Sequence, residues 1–177
     1  MKNRTIVALS FLTLAVVGYA ATGTTVPATA GGRPDLSGAW TLDLGKCRLQ
    51  FPPKLDSGTI VIEHKDPAFR FGRTFVEGGK EDSISFELTT DGREKVVKGP
   101  DRTTTSRMYW DGETLVLDER IVLANGRAAT NIVRYSLRDG GRTLVAEETF
   151  RAPFHKHDNL WVAGRGPDGA KPPHSQF

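Results

Sequence analysis

The stretch that decides the fold is residues 108–117, MYWDGETLVL. Apolar side chains recur at every second position on both sides of the Asp111-Gly112 pair. They are Met108, Trp110, Leu115 and Leu117. Such alternation is typical of a β-strand with one buried face, and Asp-Gly supplies the positive φ angles that a tight hairpin needs. The stretch therefore predicts a β-hairpin with one apolar face.

The same combination recurs along the chain, with turn-forming pairs at intervals of about 8 to 14 residues. The clearest pairs are Asp66-Pro67, Gly78-Gly79, Asn125-Gly126 and Asp139-Gly140. Apolar residues alternate between them, as at Ile60, Ile62, Phe69, Phe71, Phe75, Phe86, Val133, Tyr135 and Leu144. The weak helical pattern at residues 46–55 is broken by two prolines. The sequence predicts an all-β chain of about eight to ten strands with almost no helix.

Short turns between consecutive strands indicate an antiparallel up-and-down meander. A long meander with one apolar face must either roll up or fold onto itself, and rolling up removes the exposed strand edges. A barrel of this size holds either its own side chains or one small ligand. A two-sheet sandwich is the alternative, but it would need Greek-key connections, of which the sequence shows little sign. We therefore expect a barrel.

The N-terminus carries a secretory pattern. Lys2 and Arg4 precede an apolar run at residues 6–17, and small residues follow it. We expect a signal peptide at residues 1–20, a flexible lead at 21–34, a barrel domain at 35–165 and a disordered tail at 166–177. Cleavage after Ala30 and an uncleaved anchor are the alternatives. The expected location is periplasmic or secreted, with no stable membrane span once the signal is removed.

Charge and cysteine content narrow the functional classes. The chain has 24 basic and 21 acidic residues, and removal of residues 1–20 would leave 22 and 21. No dense basic patch with interleaved aromatic residues is present, so the sequence predicts no nucleic-acid partner. The single Cys47 excludes an internal disulfide, and its role is left open, as is the oligomeric state.

The opening residues 35–42, DLSGAWTL, resemble the Gly-x-Trp start of lipocalins. Further stretches, in the same order, resemble a group of lipocalin-like barrels exported by bacteria. They are residues 62–67, 110–115, 135–137, 141–144 and 157–162. The resemblance covers roughly residues 35–165 and implies a lipocalin-like barrel. It also implies structural roles for Gly38 and Trp40, with Arg165 packed across the indole and Arg151 as the alternative partner.

Four polar residues fall on the apolar face by the alternation count. They are His64, Arg73, Glu119 and Glu148. Because an unpaired buried charge costs several kcal/mol, we expect Arg73 to pair with Glu119 or Glu148, or to orient the carboxylate or phosphate of a ligand. The competing interpretation is that the alternation slips at a bulge, or that these residues line a wet barrel mouth.

The sequence favours a binding protein over an enzyme. The predicted ligand is hydrophobic or amphipathic, with no cofactor, and the predicted contacts combine aromatic residues with three of these charges. They are Phe69, Phe71, Phe86, Trp110, Tyr135, Arg73, Glu119 and Glu148. The same aromatic residues could simply fill the barrel, which would then be a structural or interaction module. The interior volume of the barrel distinguishes a ligand-binding barrel, which is hollow, from a structural module, which is filled.

Two histidines suggest a further alternative. His155 and His157 lie two apart, so on a strand they face the same way and could hold a metal or provide an axial ligand to haem. A zinc site would need a third ligand, with His64 or Asp158 as candidates. No Gly-x-Ser-x-Gly elbow for a hydrolase is present.

Overall fold

The computed structural model describes residues 32–52 and 54–166. This part of the chain forms ten strands and one short 3-10 turn at Asp139–Gly141. The strands are β1 (Gly38–Leu42), β2 (Ser57–Lys65), β3 (Ala68–Glu77), β4 (Lys80–Thr89), β5 (Asp91–Lys98), β6 (Arg102–Asp111), β7 (Thr114–Leu123), β8 (Ala128–Arg138), β9 (Thr143–Ala152) and β10 (His155–Arg165). The prediction of an all-β chain with almost no helix is confirmed.

The predicted signal peptide lies outside the described residues, as do most of the predicted lead and nearly all of the predicted tail. Among the described residues, no helix is both long and apolar enough to cross a membrane.

All ten strands belong to one antiparallel sheet in the order β4-β3-β2-β1-β10-β9-β8-β7-β6-β5. Pairing of β1 with β10, with Trp40 opposite Arg165, joins the two ends of the meander. The outermost strands β4 and β5 follow one another in sequence, and across the seam between them the Lys95 ammonium donates to the Glu87 carbonyl at 2.9 Å. The result is a nearly closed up-and-down barrel, as the sequence predicts.

Alternation decides which side chains face the interior. On β3, Phe69, Phe71 and Phe75 are buried, whereas Arg70 between them reaches Glu63 and Glu87 on the outer surface. Gly58 on β2 lies opposite Phe75. A Cβ atom at Gly58 would come within 2.4 Å of Leu42 and 2.9 Å of Phe75, so any larger residue would displace one of them.

One half of the barrel, which we call the packed half, is built around Trp40, and an open groove of about 960 Å³ beside His64 and Phe69 adjoins it. The indole is fully buried, and its Nε1 donates to the Leu36 carbonyl at 3.2 Å. The Arg165 guanidinium carbon lies 4.4 Å from the centroid of that ring, and its Nη1 donates to the Ser37 carbonyl at 2.9 Å. The segment before β1 therefore covers this end, and Arg165 lies where the resemblance implies.

The largest fully buried side chains mark the centre of this packing. Besides Trp40, those that belong to the core are Leu36, Ile62, Met108, Leu115 and Leu144. All are apolar and come from six different strands or connections, so the packed half ties the meander together.

Candidate ligand-binding cavity

The opposite half of the barrel contains a cavity of about 1040 Å³. We call it the hollow half, and its mouth lies at the β3–β4 turn, the start of β6 and the start of β10. Its lining includes Phe51, Phe71, Arg73, Phe75, Asp82, Phe86, Glu119, Asn131, Tyr135, Ala146, Glu148, Phe150, His155, His157 and Trp161. The interior is therefore not filled throughout, which removes the main premise of a solid structural barrel.

Six of the eight predicted ligand residues line this cavity. They are Phe71, Arg73, Phe86, Glu119, Tyr135 and Glu148. The other two, Phe69 and Trp110, do not line it. Phe69 packs edge-on against His64, and the Trp110 indole donates to the Asp66 carboxylate at 3.1 Å. Both face the interior as predicted, but they lie too far toward the packed half.

Aromatic rings form the apolar wall of the cavity. Phe71 stacks on Phe86 with a centroid separation of 4.9 Å, and Phe75 stacks on Trp161 at 5.0 Å. Tyr135 packs against Phe71 at 6.0 Å. Stacked and tilted ring pairs hold one another in place, so this wall is a fixed apolar surface.

Two carboxylates lie on the wall formed by β7, β8 and β9. Glu148 accepts hydrogen bonds from Asn159 Nδ2 at 2.8 Å and from the Trp161 indole at 2.9 Å. Glu119 accepts from Ser106 Oγ at 3.0 Å and from Asn131 Nδ2 at 3.1 Å. Neutral donors therefore fix the orientation of both carboxylates without neutralising their charge.

The expected pairing of Arg73 with Glu119 or Glu148 is wrong. Its Nη1 lies 3.0 Å from Asp82 Oδ2, and its guanidinium stacks on the Phe75 ring at 4.2 Å. The reason is strand register. Arg73 faces Ile84 on the neighbouring β4, so Asp82 is its diagonal neighbour on the same face. The two glutamates are carried by β7 and β9, which are not neighbours of β3.

The structure also answers whether the alternation slips. No register shift occurs in the pairings that place His64, Arg73, Glu119 and Glu148. The shift recorded for the described strands lies between β5 and β6, at Asp91 to Glu94. All four residues therefore keep the inward orientation that the count predicts.

Tyr135 lies between the apolar and acidic walls. The residue is only 4% exposed, and burial raises the pKa of its hydroxyl, with Glu119 and Glu148 adding to the increase. Among the described residues this hydroxyl has no hydrogen-bond partner, although it belongs to a cavity-lining side chain. The phenol therefore stays neutral and can donate or accept a hydrogen bond.

The two histidines proposed as metal ligands lie at the cavity mouth. His155 Nε2 and His157 Nδ1 are 3.1 Å apart, and the His157 ring stacks on Phe150. Neither proposed third ligand joins them. Asp158 pairs with Arg151 at 2.7 Å, and His64 lies in the packed half, where its Nδ1 accepts from the Leu36 amide. Within residues 32–52 and 54–166, no group of three potential ligands is arranged to hold a metal.

A segment that sequence reasoning missed covers part of the mouth. Asn159 Oδ1 accepts from the amides of Gln50 and Phe51 at 2.8 and 3.2 Å, and its Nδ2 donates to the Phe51 carbonyl at 2.5 Å. The Phe51 ring then lies 5.0 Å from the His155 ring. Asn159 shares the inward face of β10 with Trp161, and that alternation was the available signal.

Comparisons with known proteins concern the fold. No family model and no curated protein matches the sequence. Solved structures do match. Secretory abundant heat soluble protein 4 from Ramazzottius varieornatus has a TM-score of 0.45 and 17% identity, over 77% of this chain and 97% of that one. Lipid binding protein 8 from Caenorhabditis elegans has a TM-score of 0.48 and 11% identity, over 73% of this chain and 94% of that one.

A third solved structure, Rv2717c from M. tuberculosis, has a TM-score of 0.46 and 20% identity, over 75% of this chain and 93% of that one. The chain has a lipocalin-like fold. That statement rests on the ten-stranded meander and its nearly closed barrel. Because the sequence identities and TM-scores are low, these solved structures give no information about the function of this chain.

Proposed function

We propose that the chain is an exported protein that binds one hydrophobic or amphipathic small molecule inside its barrel. The observation that carries the proposal is the cavity of about 1040 Å³ in the hollow half. Ligand pockets typically measure about 300–1,000 Å³ and combine apolar walls with a few placed polar groups. The stacked Phe71 and Phe86 supply the apolar wall, and Glu119, Glu148 and Tyr135 supply the polar groups.

Binding fits these side chains better than catalysis does. Both cavity glutamates already accept two hydrogen bonds each from neutral side chains. Arg73 is engaged by Asp82, and burial keeps the Tyr135 phenol protonated. A site whose charged groups are held by neighbours is suited to orienting a ligand. We therefore assign these groups to recognition.

The test is to fill the cavity. Ala146 lies between Tyr135 and Trp161 in the strand register and is 4% exposed, so Ala146→Phe would place a ring in the hollow half. Native mass spectrometry against a panel of lipids and aromatic compounds should show a complex with the wild-type chain. Ala146→Phe should weaken it by at least about tenfold, which corresponds to about 1.4 kcal/mol.

The matched control is Ala128→Phe, which adds the same ring at an exposed position near the rim. Overpacking costs about 1–3 kcal/mol, so the milder cavity variant Val133→Leu guards against misfolding of Ala146→Phe. Circular dichroism checks the fold of each variant. Absence of any complex with the wild-type chain, or equal affinity in the two cavity variants and the control, would overturn the proposal.

Export is part of the proposal and rests on residues 1–20 alone. Expression of the full chain in a bacterium with a periplasm should give a mature protein that begins after Ala20 or after Ala30. Intact-mass measurement of the periplasmic fraction reports the cleavage position directly. Recovery of only the uncleaved chain from the cytoplasm would contradict this part of the proposal and leave ligand binding untouched.

A further inference from the structure

We propose that the cavity selects amphiphiles with a cationic head group, such as a protonated primary amine, over those with an anionic head group. The inference rests on the proposed function and adds the charge class of the ligand. It comes from an imbalance between the two charged walls of the hollow half. One wall carries the Arg73–Asp82 ion pair, whose charges cancel. The other wall carries the carboxylates of Glu119 and Glu148, and neither is paired with a lysine or an arginine among the described residues.

On the first wall the charges cancel. Arg73 and Asp82 lie 3.0 Å apart, and the guanidinium is also stacked on Phe75. An anionic ligand would have to displace Asp82 to use this arginine. It would gain little by doing so, because one carboxylate would replace another.

On the second wall the charges do not cancel. Glu119 is held by Ser106 and Asn131, and Glu148 by Asn159 and Trp161, all neutral donors. Among the described residues, the potential cation within 4 Å of either carboxylate is His157, whose Nε2 lies 3.8 Å from Glu148. Charges in a partly buried site interact more strongly than charges in bulk water. A ligand ammonium would therefore be attracted to these carboxylates, whereas a ligand carboxylate would be repelled.

A second observation points to an absent polar partner. Tyr135 is 4% exposed and lines the cavity, yet its hydroxyl has no hydrogen-bond partner among the described residues. The Oδ1 atom of Asn131, which also lines the cavity, is fully buried without a partner among the described residues, as is His64 Nε2 in the packed half. Buried polar groups in proteins are almost always hydrogen-bonded. The Tyr135 hydroxyl opens onto the cavity, so a polar head group bound beside β8 would form a hydrogen bond with it.

The strand register places these groups together. Glu119 on β7 faces Asn131 on β8, and Glu148 on β9 faces Val133 on β8. Tyr135 is the next inward residue of β8, so the two carboxylates flank the strand that carries the unpartnered groups. Phe71 and Phe86, from β3 and β4, offer the apolar surface for the rest of the ligand.

The rim of the cavity does not reverse this selection. Lys80 and Arg102 line the mouth, but so do Glu77 and Glu81, and all four are exposed. Exposed charges are screened by water and salt. The partly buried Glu119 and Glu148 therefore dominate what a bound head group experiences.

The experiment compares three ligands that share a twelve-carbon chain: dodecylamine, 1-dodecanol and dodecanoate. Binding is measured by displacement of a neutral fluorescent probe at pH 7.5 and 0.15 M salt, below the micelle concentration of each ligand. We expect dodecylamine to bind at least about tenfold more tightly than dodecanoate, with dodecanol between them. Glu119→Gln and Glu148→Gln should each bring the amine closer to the alcohol.

The matched control is Glu113→Gln, because Glu113 is an exposed residue of the β6–β7 turn. It should leave the preference for the amine unchanged. An equal loss in this control would assign the preference to general charge attraction and overturn the inference. Dodecanol affinity and circular dichroism show whether either cavity variant disturbs the fold, and the Gln side chain keeps the shape of the site.

The outcomes separate the two proposals. If none of the three ligands displaces the probe or binds in native mass spectrometry, the proposed function itself fails. If the alcohol binds but the carboxylate binds as tightly as the amine, the binding function stands and the cationic selection is overturned. If the amine preference survives both glutamine substitutions in the folded chain, the assignment to Glu119 and Glu148 is wrong.

Discussion

The two halves of this barrel are built by the same meander and the same alternation, yet one packs closely around Trp40, with an open groove beside His64 and Phe69, and the other encloses a cavity. In the packed half the inward positions carry Trp40, Ile62 and Met108, each no more than 1% exposed. In the hollow half β7 and β9 carry Glu119 and Glu148, each four residues after a buried leucine of the same strand, Leu115 or Leu144. Inward orientation alone therefore does not create a core; the residue type at each level of the barrel decides.

The two ends are also covered differently. The segment before β1 lies across the packed end, fixed by Trp40, Arg165 and Ser37. The hollow end is covered in part by residues 50–52, which one side chain, Asn159, holds through three hydrogen bonds. We therefore expect stability to depend mainly on the packed half and ligand exchange mainly on the hollow half.

The largest expected effect is loss of the Trp40 side chain. Trp40→Ala should lower the free energy of unfolding by about 3–5 kcal/mol, because it leaves a cavity that the surrounding side chains can fill only in part. It also removes the surface on which Arg165 stacks. Urea denaturation followed by circular dichroism measures the change.

The matched variant is Phe86→Ala in the hollow half. Phe86 is only partly buried and already faces an empty space, so its removal should cost clearly less than the loss of Trp40. Its main effect should be weaker binding of apolar ligands. If both substitutions destabilise the chain equally, the division into a packed and a hollow half has no energetic meaning.

A smaller effect is expected where the mouth is held closed. Asn159→Ala removes the bonds to Gln50 and Phe51 and one of the donors to Glu148. A stability loss of about 2 kcal/mol follows from buried groups left unpaired. Ligand dissociation, measured by stopped-flow displacement, should become several times faster.

Asn125→Ala provides the control for this experiment. Asn125 also accepts a backbone hydrogen bond, from the Arg127 amide, but within an exposed turn. Asn125→Ala should leave the dissociation rate unchanged. It should change the stability by no more than about 0.5 kcal/mol. Unchanged ligand dissociation in Asn159→Ala would mean that residues 50–52 do not limit exchange.

Much of this comparison was predictable from the sequence because it depends on local pattern. Alternation at Met108, Trp110, Leu115 and Leu117 predicts strands and an inward face, and Asp111-Gly112 predicts the hairpin between them. Both depend only on neighbouring residues. The pattern also predicts that Glu119 and Glu148 face inward.

What the pattern does not contain is height along the barrel. Phe69 and Phe71 are both inward and only two residues apart, yet only Phe71 lines the cavity. Their levels depend on strand tilt and stagger, which are properties of the closed sheet. The choice of Asp82 as the partner of Arg73 depends on β3–β4 register in the same way. The contact of Asn159 with Phe51 joins residues 108 positions apart, beyond any local signal.

The smallest expected effect concerns acid and should arise in the packed half. Asp66 accepts hydrogen bonds from the Thr90 hydroxyl, the Trp110 indole and the Arg33 guanidinium, and these bonds lower the pKa of its carboxyl to about 2. An unfolded aspartate titrates near about 3.9. The stabilisation is therefore complete above about pH 4 and is lost as the pH falls toward about 2.

Solvent screening of this partly exposed carboxylate keeps its contribution below about 1 kcal/mol. Asp66→Asn should therefore unfold more easily than the wild type at pH 6, and the gap should narrow by pH 2.5, as urea titrations at both values would show. Asp111→Asn, which removes one carboxylate from an exposed pair with Arg134, controls for the loss of a single charge. A gap of constant size between the two pH values would mean that Asp66 acts through packing. The hydrogen bonds that join the β2–β3 turn to Thr90, between β4 and β5, and to Trp110 on β6 would then make no electrostatic contribution to stability.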